Sequence, residues 1–134
     1  MGLFDALDAS GSALSAERVR MDVTAENLAN AQSTRTANGQ GPYRRKEVVM
    51  QEADSLQAAR GVKVAGIVED PTPSRRVYDP GHPDADAQGY VEMPNVNTVT
   101  EMTDLIGASR AYEANVTAMQ TTKSMFARTL DILK

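Results

Sequence analysis

The chain has 134 residues with 14 Lys and Arg against 18 Asp and Glu, giving a formal net charge of -4, which is one domain's worth of material. With no Cys and a single His, it lacks the thiolates of a disulfide framework or zinc-thiolate site and the imidazoles of most catalytic metal centres, so neither a metal nor a cofactor is expected. The acidic balance also argues against nucleic acid as a partner, because neutralising many phosphates takes clustered Lys and Arg.

No apolar run approaches the roughly 18 residues that cross a bilayer, so no direct membrane span is expected. Met1-Gly2-Leu3-Phe4-Asp5 has neither the basic nor the apolar region of a cleaved secretory signal. All six prolines lie between residues 42 and 94, whereas 12 of the 19 alanines fall within 1–31 or 99–134. Since Pro breaks helices and Ala favours them, two helical ends are expected to flank a β-rich middle. The fold class is thus mainly α, with the N- and C-terminal helices pairing as an α-helical coiled coil and short antiparallel strands and loops between them.

In chain order, residues 1–30 carry Leu7, Leu14, Met21 and Leu28 at a spacing of seven, the narrow stripe of a helix packed on another helix. Ser10, Gly11, Glu17 and Arg18 interrupt that stripe, so the helix is marginal on its own. Residues 31–41 read as a polar connector. Within 42–94, Tyr43 to Met50, Val62 to Val68, Arg75 to Tyr78 and Tyr90 to Met93 are short β-branched or aromatic runs bounded by Gly and Pro, and they predict a small antiparallel sheet. Arg44-Arg45-Lys46-Glu47 reads as a strand start with solvated charges.

The acidic loop Asp79 to Gly89 places oxygen ligands at Asp84, Asp86 and Gln88 with Gly89 sixth, in the manner of an EF-hand. Asn95 then stands where a bidentate Glu is required, so the loop reads as a solvated turn. His82, without a nucleophile elbow or phosphate loop beside it, reads as a loop residue.

Residues 95–134 hold the stronger helix. Met102, Val116 and Leu130 share one seven-residue register with Ser109 and Lys123, and Leu105, Tyr112, Met119, Phe126 and Leu133 fill the partner register. Thr98-Val99-Thr100-Glu101 has the spacing of a capping box at its start. Lys123 reads as a snorkelling stem. Flanking positions Ala108, Asn115, Thr122 and Thr129 are small or uncharged, and such flanks let further helices approach. The stripes predict that the two ends fold on each other within one chain, and the small flanks predict assembly with further subunits.

Glu26-Asn27-Leu28-Ala29-Asn30-Ala31-Gln32-Ser33-Thr34-Arg35-Thr36 resembles the Asn-rich signature of bacterial flagellar axial proteins of the rod and hook class. Gly41-Pro42-Tyr43-Arg44-Arg45-Lys46, Tyr78 to Asp86, Gly89 to Asn97 and Ser109 to Asn115 are similar, more narrowly, to the proximal rod protein C family of that class. Asn27, Asn30, Thr34, Tyr112, Glu113 and Asn115 are the motif positions carried over. The resemblance implies a structural, non-enzymatic subunit of the hollow proximal rod of the basal body, within the periplasmic space, exported through the flagellar type III apparatus without signal cleavage. Its implied partners are other rod proteins, copies of itself, the inner-membrane ring and the rod-base adaptor proteins. The helical stripes then become the assembly interface, and Asn115, Gln120, Thr121, Thr122 and Ser124 become candidates for the polar side facing the lumen. The alternative reading is a secreted coiled-coil adaptor that binds one partner helix.

Overall fold

A computed structural model describes residues 3–36, 41–53 and 61–132. The Ala-rich ends form the two long elements, α1 (Leu3–Ala29) and α2 (Thr98–Ile132), and between them run β1 (Lys46–Ala53), β2 (Gly61–Glu69), β3 (Arg75–Tyr78) and β4 (Tyr90–Met93). The chain is mainly helical with a small β middle, and the end helices pair. Gly11 of α1 lies near Met119 of α2, while Asn27 of α1 bonds Glu101 of α2, so the two helices run antiparallel.

The single sheet expected for the middle is instead two separate antiparallel pairs, β1 with β2 and β3 with β4. Prolines 71 and 73 fall between β2 and β3 and supply no ladder donor there, which ends one pair before the other begins. In β1, Lys46, Val48 and Met50 are half-buried and alternate with exposed Glu47, Val49 and Gln51, the period of two of a strand with one covered face. A bulge falls between Val49 and Met50, where the register passes from Gly66 to Val64. The hairpin leans on α1 at Ser12, whose hydroxyl bonds Ala9 O and accepts the Val62 N–H at 3.1 Å. Gly61 permits this approach, since a Cβ there would stand 2.6 Å from Ser12 Oγ.

The helical core differs from the expected seam in a specific way. On α2 the fully covered line is Glu101, Ala108 and Thr122, positions that include two of the small flanks read as faces for other subunits. Leu105, Tyr112 and Met119 lie beside that line half-buried, while Met102 and Leu130 are 53% and 49% exposed. Small residues take the innermost seats because they let α2 come close to α1, whose own covered positions are Ala16, Val23, Thr24 and Asn27. Their polar groups cost little there: Thr122 Oγ1 donates to Ala118 O and Asn115 Nδ2 to Ala111 O, both at 2.9 Å and four residues back.

α2 also begins differently from the expected capping box. Asn97 is the cap, its Oδ1 accepting the Val99 N–H at 3.0 Å and the Thr100 N–H at 3.4 Å. Glu101 is thereby free to turn inward. The acidic loop closes on itself, with Asp86 Oδ1 accepting from the Gln88 and Tyr90 amides at 2.8 and 2.9 Å. Among the described residues no group of three potential ligands could hold a metal ion, and no helix is long and apolar enough to cross a membrane.

The turn into β4 depends on Gly89, whose φ of +80° is left-handed and whose missing Cβ would stand 2.9 Å from the Tyr78 ring and 3.2 Å from Pro80. Gly89→Ala should therefore lose about 1–2 kcal/mol through backbone strain alone, with further loss from the clash. A urea titration that gives an unchanged midpoint would contradict this account of the turn.

Candidate functional site

The end of α1 carries a carboxamide that meets three other parts of the chain. Asn27 is 1% exposed, and its side chain makes all four bonds available to it. Its Nδ2 donates to Lys46 O at 2.8 Å and to Glu101 Oε2 at 2.9 Å. Its Oδ1 accepts from the Tyr43 hydroxyl and from the Lys46 amide, each at 2.9 Å. One side chain thus joins α1, the approach to β1, β1 itself and α2.

A second layer of charge surrounds that junction. Glu101 is as buried as Asn27, and a buried carboxylate is tolerated only when paired and hydrogen-bonded. Arg45 supplies the pair, donating from Nε to Glu101 Oε1 at 2.6 Å. Its guanidinium also pairs with Glu47, and approaches Asp70 at 3.6 Å and Asp104 at 3.8 Å. Arg45 is therefore the hub of an ion network, not the solvated strand charge the sequence suggested, because it stands just before β1 and reaches the buried Glu101 in the first turn of α2. Burial disfavours its charge, but hydrogen bonds to Glu101 and Glu47 outweigh that and raise its pKa.

Tyr43 is also buried. That burial first, then the charges of Glu26, Glu101 and Glu69, push its phenol up to about 12, so it keeps the proton it donates to Asn27. The Arg45 amide donates to Asn95 Oδ1 at 2.8 Å, and Asn95 Nδ2 donates to Thr72 O at 3.1 Å, so the loop before α2 is fixed by the same Arg. The result is a polar recess of about 350 Å³ between α1, β1 and α2 with its donors and acceptors spent on the fold.

The other motif residues extend this knot in one direction only. Asn30 donates from Nδ2 to Glu26 O at 2.9 Å and accepts the Ser33 hydroxyl at 3.1 Å, which shapes the turn that leaves α1. Thr34 Oγ1 donates to Asp84 Oδ2 at 2.7 Å, and Arg35 pairs with the same carboxylate. The Thr34 hydroxyl, then Arg35, hold Asp84 below the ordinary carboxylate range. The acidic loop is thus strapped to the end of α1.

Tyr112, Glu113 and Asn115 are not part of the knot. They stand about three to four turns further along α2, roughly 16–21 Å from Glu101 at 1.5 Å per residue. Tyr112 and Asn115 are half-buried and Glu113 is exposed.

Of the stripe positions, Leu7, Leu14, Met21, Leu28, Leu105, Tyr112, Val116 and Met119 are half-buried. Met102, Phe126 and Leu130 are exposed, and Leu133 lies outside the described residues, as does the connector stretch 37–40. Among the residues read as facing the lumen, Gln120, Thr121 and Ser124 are exposed and share one shallow recess. Thr122 is instead buried in the helix pair.

On sequence alone Arg45 reads as a solvated charge and Glu101 as the end of a capping box, and the two are not joined. The available signal was that Glu101 stands four and seven residues before Leu105 and Ala108, on the inward line of α2.

Asn27→Ala should strip a partner from Tyr43, Lys46 and Glu101 at once, at a cost of about 3 kcal/mol in the denaturation midpoint, the penalty for leaving buried polar groups unpaired. Asn27→Asp should be worse, because it sets a second carboxylate against Glu101, and Glu101→Gln should recover part of the loss. Additive effects in that double-mutant cycle would contradict the junction. For the Asp84 strap, a lowered folded pKa means its contribution is complete above the ordinary aspartate value of about 3.9 and fades as pH falls through the lower folded value. An acid titration should show that fading in the native chain and not in Asp84→Asn.

Residues 7–35 match the family of flagella basal body rod proteins, and residues 87–132 match the C-terminal region of the flagellar basal body rod FlgEFG proteins. The chain is 50% identical over 133 residues to the flagellar basal-body rod protein FlgC of Yersinia enterocolitica, with 98% of each chain covered. It is 47% identical over 150 residues to FlgC of Bacillus subtilis, covering 100% of both. It is 43% identical over 152 residues to FlgC of Borreliella burgdorferi, covering 100% of this chain and 99% of that one. Likeness of this degree over nearly the whole length of both chains makes this chain a member of the flagellar basal-body rod protein FlgC family.

Proposed function

We propose that this chain is a structural subunit of the proximal rod of the bacterial flagellar basal body, with its paired end helices built into the shaft and residues 42–94 forming a small outer segment. The observation that carries this reading is the pairing itself. Two long helices are locked at one end by a buried polar knot, while Met102, Ile106 and Leu130 remain 53%, 53% and 49% exposed along α2. Apolar side chains left outside a pair that is already closed are a surface for further subunits.

Copies of this chain and other rod proteins cover those side chains, and the assembly is helical because one face meets a different face of its neighbour. The inner-membrane ring and rod-base adaptor proteins receive its lower end, and the subunit reaches its place in the periplasmic space through the flagellar type III export apparatus. Gln120, Thr121 and Ser124 suit the polar wall of a channel that passes unfolded cargo. The role is mechanical: the shaft transmits torque, so its helices lie close to the axis and their contacts resist shear. A secreted adaptor that borrows one partner helix fits less well, since the rod proteins it resembles match it over the whole length.

The test is a deletion strain examined by electron microscopy beside mass spectrometry of purified basal bodies. The chain should be present in the native complex, and its loss should leave a membrane ring without a complete rod. Met102→Asp and Leu130→Asp should each halt rod assembly while the chain is still exported, because each buries an unpaired charge in an interface that only assembly creates. Normal motility in both variants would overturn the assignment of those positions.

A further inference from the structure

Two exposed stripes, one on each end helix, face away from the closed pair. On α2, Met102, Ile106, Arg110 and Glu113 recur at spacings of four, four and three and are all exposed, with Met102 and Ile106 each 53% open. At 100° per residue they fall within about 80° of one another on the helix. On α1, Arg18, Asp22, Ala25 and Ala29 recur at four, three and four, are likewise all exposed, and fall within a similar arc. None of Arg18, Asp22, Arg110 and Glu113 is in an ion pair with another described residue.

The stripes complement each other in charge and in size. Laid antiparallel, a single register sets Arg18 against Glu113 and Asp22 against Arg110, and the same register sets Ala25 against Ile106 and Ala29 against Met102. Each charge meets its opposite, and each large apolar side chain meets an alanine, whose small size makes the hole that a knob requires. In the parallel orientation Arg18 and Asp22 instead face Met102 and Ile106, and either stripe laid antiparallel on itself likewise sets its charged residues against its apolar or alanine ones, so no charge meets its opposite. Within one chain the two stripes point away from the shared seam, so the pairing is available only between chains.

We infer that the outer face of α1 docks antiparallel on the outer face of α2 of a second copy of this chain, in the register that pairs Arg18 with Glu113 and Asp22 with Arg110. This deepens the rod reading and rests on it. The contact is heterologous, since the α1 stripe of one copy is spent on the α2 stripe of the next, and the series ends with a free α1 stripe at one end and a free α2 stripe at the other. Such a contact propagates around or along a shaft where a two-fold contact would stop at a dimer.

The absence of native cysteine makes the test direct. Two differently tagged forms, Ala25→Cys and Ile106→Cys, are co-expressed in a strain lacking the native chain, and purified basal bodies are treated with a short thiol-reactive cross-linker. A heterodimer carrying both tags, absent when either form is expressed alone, is the expected result. In the second arm Asp22→Arg should lower incorporation about tenfold through like-charge repulsion, and Asp22→Arg with Arg110→Asp should restore it. Circular dichroism of each purified variant keeps folding separate from docking. If both cysteine forms enter basal bodies but link only like to like, or not at all, the interface is overturned and the rod reading stands. If the native chain is missing from purified basal bodies, the rod reading falls and the interface with it.

Discussion

Everything in this molecule turns on one buried carboxamide. Asn27 uses both donors and both acceptor directions on partners 16 to 74 residues distant, so the end of α1, the approach to β1 and the start of α2 can close in only one arrangement. Apolar side chains packed in a groove can slide by a residue with modest loss. A carboxamide with four fixed partners cannot, because any slip leaves several buried polar groups without bonds. Glu101 sharpens this constraint. Its burial is tolerable only while Arg45 and Asn27 are both in place, so the ion pair and the amide network form together or not at all.

The same constraint explains why a weak apolar stripe suffices for α1. Leu7, Leu14, Met21 and Leu28 are only half-buried, and Gly11 and Ser12 would weaken an isolated helix. Here Ser12 Oγ accepts the Val62 N–H, and Gly11 leaves room beside Met119. Residues that are poor helix formers in isolation act as contacts in the folded chain. The innermost line of α2 follows the same logic, with Ala108 and Thr122 seated where bulk would force the helices apart. A close pair needs small residues inside, which moves larger apolar side chains such as Met102 and Leu130 to the outside.

The sequence carried the architecture in its periodicities and its prolines. Seven-residue spacing located both helices, and Pro and Gly bounded the four strands to within a few residues. What it did not carry was the rotation of each helix about its axis. The registers of Met102 and of Leu105 are equally regular, and only the needs of the partner helix decide that Leu105 turns inward and Met102 outward. The polar knot was illegible for a related reason. Arg45 stands between two other basic residues, and Glu101 satisfies a local capping pattern that Asn97 in fact supplies. Partners 56 residues apart leave no trace in local spacing. Asn27 was marked only by resemblance, and its role became visible when its four bonds did.

The knot and the outer stripes are not independent features. Asn27 lies between Ala25 and Ala29 on α1, and Glu101 is the immediate neighbour of Met102 on α2. At 100° per residue, a slip of one position at the junction would rotate a stripe by more than a quarter turn and present a different set of side chains to the next copy. The buried polar bonds that lock the end of the helix pair therefore also set which faces of α1 and α2 stay outside. An apolar junction of equal stability would permit several rotations and so several stripes. In a shaft built by repeating one contact, an angular error of that size would accumulate from copy to copy. In an assembly of that kind the cost of burying Glu101 would be offset in accuracy of the presented face more than in stability of the free chain.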